Sequence, residues 1–168
     1  MTVELQVLTE GHEERLRAFR LPPEQARFTA LPAELLEPMP GRHPVVIAAG
    51  GEPAGFFLLH DSERVKDYTD NPQAMLLTAF SIDNAMQGNG YAKQGMALIP
   101  SFVQARFPGC DEIVLAVNHR NIPAQKLYER VGFTDTGRRR IGAQGEQYVY
   151  SWTLAEREQR LRDAEAVQ

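Results

Sequence analysis

Two short stretches carry residues whose types and spacing suit chemistry. The first is Gln87–Gly88–Asn89–Gly90–Tyr91–Ala92, between the apolar run Ala74–Ile82 and a helical segment. Successive backbone N–H groups in a glycine-rich turn that opens into a helix make a cradle for an anion. Gly88 and Gly90 let the chain approach a phosphate closely, and the Gln87 amide adds a side-chain donor. The turn is too short for a P-loop and lacks its Lys–Ser/Thr end. Its spacing also differs from the GxGxxG dinucleotide fingerprint. Asn89–Gly90 fits an ordinary turn as well, so taken alone the stretch supports both readings.

The second stretch, Asn118 to Phe133, reads NHRNIPAQKLYERVGF. It lies about thirty residues further on and combines a helix cap, a tyrosine and a glycine stop. In that order the two stretches resemble the GNAT acetyltransferases. The family's loop signature, Q/R-x-x-G-x-G/A, is matched by Gln87, Gly90 and Ala92. Its later helix, N-x-x-A-x-x-L-Y-x-x-x-G-F, is matched by Asn121, Ala124, Leu127, Tyr128, Gly132 and Phe133. The resemblance is tight from Leu76 to Phe133. Leu21–Thr29, LPPEQARFT, also loosely resembles polyamine-type members.

The resemblance implies an N-acetyltransferase that uses acetyl-coenzyme A. The pantetheine arm is expected beside Phe80–Ile82, paired to backbone there. The pyrophosphate is expected on the amides of Gln87, Gly88, Asn89, Gly90, Tyr91 and Ala92. Asn121 is expected at the cofactor or a water near the thioester, and Tyr128 near the sulfur. A small-molecule primary amine would attack the thioester directly, with a backbone N–H near Ile82 stabilising the oxyanion. Tyr128, a donor with an ordinary pKa near ~10, would protonate the departing thiolate as general acid. Its alternative role is packing under Phe133. The base is unassigned: some relatives place a glutamate on the strand before the loop, but Met75–Ile82 holds no acidic residue. Asp83 reads as a turn residue. The missing base motivates a rival reading, a coenzyme A-binding sensor of the same fold that transfers nothing.

Other features have plainer readings. Asp61, Glu63, Asp67 and Asp70 could attract a cationic acceptor, or form a solvated loop diluted by Arg64 and Lys66. Arg138–Arg139–Arg140 could grip a phosphate or an acidic acceptor, or alternate along an exposed strand. Cys110 has no neighbouring histidine in sequence and reads as structural. The four histidines show no metal spacing. Tyr148, Tyr150 and Trp152 share one strand face, which suits an acceptor pocket, a core or a homodimer interface.

These residues need a frame to hold them. Val3–Val7 alternates as a strand, and Gly11–Arg20 has a helical pattern. Leu21–Pro40 is proline-rich, and His43–Ala49 and Phe56–Leu59 form a hairpin about Gly50–Gly51. Ala74–Ile82 reads as a central strand. In the helix that follows, Pro100 should force a break. Glu112–Val117 is a further strand. Asn121 caps the next helix, Gly132 ends it, and a last hairpin spans Arg138–Leu154. The expected class is α/β: a mixed, mostly antiparallel central sheet flanked by helices, the GNAT fold.

Residues 1–154 form one domain on this reading, with 155–168 a charged tail or helix. The 168 residues are 43% hydrophobic and 24% charged, within the globular range. A net charge of −4 argues against a nucleic-acid partner. One cysteine, no signal-like start and no apolar run of membrane length give an expectation of a soluble, cytoplasmic protein with no membrane partner.

Overall fold

A computed structural model of the chain describes residues 1–154 and 165–166. The tail expected over 155–168 therefore lies, apart from two residues, outside the described residues. The elements follow in the order β1 (Val3–Val7), α1 (Glu10–Arg17), α2 (Pro23–Ala26), β2 (Arg42–Ala49), β3 (Glu52–His60), β4 (Ala74–Ile82), α3 (Tyr91–Ala97), α4 (Ile99–Arg106), β5 (Glu112–Asn118), α5 (Ile122–Val131), β6 (Thr134–Gly142) and β7 (Gly145–Thr153). Short 3₁₀ turns occupy Pro32–Glu34, Glu63–Asp67 and Asn84–Met86.

The seven strands form one sheet in the order β1-β2-β3-β4-β5-β7-β6. All neighbours run antiparallel except β4 and β5. Period-two alternation sorts their side chains onto two faces. Ile47, Phe57 and Leu59 pack with Met96, Ile99 and Val103 of α3 and α4, whereas Val46, Phe56 and Leu58 pack with Leu16, Phe19 and Leu36. Each fully buried side chain of this kind stabilises the fold by ~1.5–3 kcal/mol.

The expected break at Pro100 occurs: α3 and α4 meet at Leu98, with Pro100 in the first turn of α4. There its missing N–H costs no hydrogen bond. Two boundaries differ from the sequence reading. α1 stops at Arg17, because Ala18 and Phe19 leave the helix through 3₁₀-type bonds to Arg15 and Leu16. The last hairpin begins at Thr134, since β6 pairs with β7 on both sides of an irregularity between Asp135 and Arg139. Tyr150 and Trp152 are buried in the core, which settles their strand face as packing.

Candidate active site

The site begins as a defect in the sheet. β4 and β5 pair through only three residues each, Ala74–Leu76 against Glu112–Val114. Beyond them the strands part, and Leu77–Ile82 faces Leu115–Asn118 across a cleft of about 740 Å³. That volume suits a small-molecule site. On its other edge β4 remains paired to β3, with a register shift opposite Phe56–Leu58. Ala79 lies at that shift with φ 57°, the one non-glycine positive φ among the described residues. A left-handed alanine costs ~1–2 kcal/mol, and the packing of both sheet faces sustains it.

The separation leaves the β5-facing backbone of Phe80–Ile82 without a strand partner. Phe80 and Ile82 line the cleft, and the Phe80 ring stacks on Phe57 with centroids 5.9 Å apart. Ser81 also lines it, and its Oγ is buried with no hydrogen-bond partner among the described residues. An orphaned buried hydroxyl carries an unmet desolvation cost that a bound group can relieve.

The glycine turn closes one end. Gly88 and Gly90 take φ of 82° and 80°. A Cβ at Gly88 would meet nothing within 4 Å, so this turn presents bare backbone to open space. Among the described residues no protein acceptor engages the amides of Gly88, Asn89 and Gly90. Gly88, Gly90, Tyr91 and Ala92 line the cleft. Gln87 lines it too, but its side chain is committed: Nε2 donates to the Ile82 carbonyl at 2.9 Å and to Gln25 Oε1 at 2.9 Å. It clamps the turn to the strand end and to α2 rather than pointing a free donor outward. The Asn89 side chain likewise ties the turn, donating to the Met86 carbonyl at 3.0 Å.

α5 supplies the opposite wall. Asn121 lines the cleft and caps the helix, its Oδ1 accepting from the Ala124 amide at 3.4 Å. At the far end Gly132, at φ 130°, lets both the Gly132 and Phe133 amides donate to the Tyr128 carbonyl. A Cβ there would come within 3.1 Å of the Trp152 ring. This stop folds Phe133 against Tyr128, with ring centroids 5.8 Å apart, and Tyr150 meets the Tyr128 ring edge-on at 6.5 Å. Tyr128 is thereby fixed with its ring on the cleft wall. Its hydroxyl makes no hydrogen bond among the described residues, and burial pushes its pKa up to about 12.

Asp83 is not available for proton transfer. It is 3% exposed, pairs with Arg15 and accepts from the Arg20 amide. It anchors the start of the chain to the end of β4. Cys110 stands away from the cleft lining, and burial pushes its thiol up. The loop at 61–70 sends Arg64 and Tyr68 into a smaller neighbouring cavity, and none of its carboxylates lines either space.

The sequence reading missed several wall residues. Phe28 and Thr29 reach the cleft from the proline-rich segment, Thr78 from β4 and Gln147 from β7. No local motif marks them, because only the sheet order brings them together.

Residues 10–133 match the Acetyltransferase (GNAT) family. The chain belongs to the GNAT acetyltransferase family. A protein of Bacillus subtilis (strain 168) described as the uncharacterized N-acetyltransferase YbbJ is 49% identical over 142 residues, 82% of this chain and 89% of that protein. Among solved structures, aminoglycoside acetyltransferase AAC(6')-Ib in complex with coenzyme A and kanamycin shares the GNAT fold. Its TM-score is 0.73 at 19% identity, covering 93% of this chain and 98% of that one. A spermidine N-acetyltransferase SpeG chimera from Vibrio cholerae and hSSAT gives 0.68 at 15%, covering 92% and 96%. The parted strands, glycine turn and capped tyrosine helix thus belong to a GNAT transferase.

Proposed function

We propose that this chain transfers an acetyl group from acetyl-coenzyme A to a primary amine by direct attack, with Tyr128 serving the sulfur. The observation that carries this reading is the cleft itself. It has unbonded turn amides at one end, an unpaired strand edge along its length, and an unpartnered tyrosine hydroxyl on the facing helix.

On this reading the amides of Gly88 to Ala92 hold the pyrophosphate, and the backbone of Phe80–Ile82 pairs with the pantetheine arm. Gln87 and Asn89 keep the turn in shape, and Asn121 holds the cofactor side or a water. The acceptor's nitrogen lone pair forms the C–N bond, the C–S bond breaks, the nitrogen loses a proton and the sulfur gains one. A backbone N–H near Ile82 supports the oxyanion. Asp83 is tied up and β4 has no carboxylate, so the nitrogen's proton leaves through water or to Glu24, the carboxylate of α2 that lines the cleft.

Tyr128 at about 12 holds its proton more tightly than a thiol near ~8.5. Complete transfer to the sulfur is therefore uphill at first. The hydroxyl acts by donating a hydrogen bond to the developing thiolate, and the thiolate then takes its proton from solvent. Tyr128→Phe keeps the ring and removes that donor. Turnover should fall by ~10²–10⁴ with acetyl-CoA affinity little changed. Near-wild-type turnover, with chemistry rate-limiting, would leave Tyr128 as a packing residue.

A further inference from the structure

Beside the cleft, across β4, lies a second cavity of about 290 Å³. The two spaces share walls at Phe28, Thr29, Thr78, Ala79 and Gln147, so an acceptor seated in the smaller one faces the larger. Its charged lining is entirely basic, Arg42 and Arg64, with no carboxylate among the described residues, and His60 at the end of β3 joins this wall. We propose that this cavity binds an anionic group of the acceptor, so that the amine used by this enzyme carries a carboxylate or a phosphate. This rests on the N-acetyl transfer reading above.

Five observations carry it. Arg64 makes no hydrogen bond or ion pair with any described residue, although acidic residues flank it in sequence. Glu63 is taken by Lys66 and Asp61 by His43. Arg42 is held by two backbone carbonyls, of Leu35 and Glu37, so its charge meets no carboxylate. Its Nε and the Thr29 Oγ1 are buried without partners, both in residues of this lining. His60, 4% exposed and bonded to Thr78 Oγ1 at 2.7 Å, is driven down to about 4 by burial and then by the charges of Arg64 and Arg42. A third arginine extends the field: Arg140 lies 4.3 Å over the Tyr68 ring and donates to Gln147 Oε1 at 2.7 Å, and both partners line the cavity. An anion entering this space gains charge-assisted hydrogen bonds, whereas a polycation meets like charge.

The test uses amines paired with and without the anion: L-phenylalanine with 2-phenylethylamine, β-alanine with ethylamine, and O-phosphoethanolamine with ethanolamine, plus spermidine. Rates are read as coenzyme A thiol release for wild type, Arg64→Gln and a control, Lys66→Gln. At least one anionic member should exceed its partner by about tenfold or more in kcat/KM. Arg64→Gln should erase most of that advantage through KM, leaving the anion-free amines and the control unchanged. Which pair responds distinguishes carboxylate from phosphate. The N-acetylated form of each amine is also titrated calorimetrically into the protein saturated with coenzyme A, a readout that needs no turnover. If no amine is acetylated but anionic products bind more tightly and Arg64→Gln removes the difference, the subsite stands and the transfer reading fails. Equal values within every pair in both assays, or a preference for spermidine, overturns the anionic subsite and leaves acetyl transfer intact.

Discussion

Tyr128 is set apart by what surrounds it. Phe133, Tyr150 and the cleft wall deprive its hydroxyl of polar partners, and the resulting pKa of about 12 has a kinetic consequence. In the proposed role the group donates only while protonated, and raising its pKa extends that state to higher pH. Turnover at saturating substrates should therefore show no decline between pH 8 and 10, where an unperturbed tyrosine at ~10 would already be half ionised at the upper end. A profile falling with a midpoint at or below pH 10, absent in Tyr128→Phe, would contradict the buried-donor account. Asp83 offers the converse case of an acidic group beside the cleft with a structural task. Removing it as Asp83→Ala strands Arg15 and the Arg20 amide. The fold should lose about 3 kcal/mol, measurable by denaturant unfolding, whereas a fall in turnover at unchanged stability would show a proton-transfer role.

At the scale of elements, the parting of β4 from β5 creates the binding space and the glycine turn furnishes one end. Gly88 is the sharper probe of that turn, because a Cβ there meets no protein atom. Gly88→Ala should cost only the ~1–2 kcal/mol of a left-handed alanine, yet place a methyl group at the proposed pyrophosphate site. Acetyl-CoA affinity should drop by about tenfold or more, read by calorimetry, in a protein that still unfolds cooperatively. Unchanged affinity would move the pyrophosphate elsewhere. Much of this element was legible beforehand. The strand–turn–helix order, the Pro100 break, the Asn121 cap and the Gly132 stop each rest on local backbone chemistry that sequence displays. The engagement of Gln87 by Gln25 was not legible, because those residues are 62 positions apart and meet only through the fold. The basic cavity was hidden for the same reason. Arg42, His60 and Arg64 come from β2, from β3 and from the turn at Glu63–Asp67, and only the sheet order together with that turn brings them to one wall.

Across the whole molecule, the seven-stranded sheet buries a histidine among positive charges, and stability should register it. His60 sits at about 4, below its ordinary ~6.5, because burial, Arg64, Arg42 and His43 outweigh Asp61. Between those values the unfolded chain binds the proton and the folded chain does not. The contribution is complete above pH ~6.5 and is lost as pH falls towards 4. From pH 7 to 5 the wild type should lose about 2 kcal/mol more unfolding free energy than His60→Gln, which keeps a hydrogen-bonding group at Thr78. Identical pH dependence would show that His60 is not depressed.

Direct attack by the acceptor is open to a quenched single turnover. Protein loaded with one equivalent of isotopically labelled acetyl-CoA is mixed with the best amine found for it, and both protein and amine are weighed by mass spectrometry over time. Label should appear on the amine nitrogen at the rate coenzyme A thiol is released, with no acetylated protein at any time. Label that first accumulates on the protein, or acetyl-CoA that stays bound and intact with every amine tried, would contradict it.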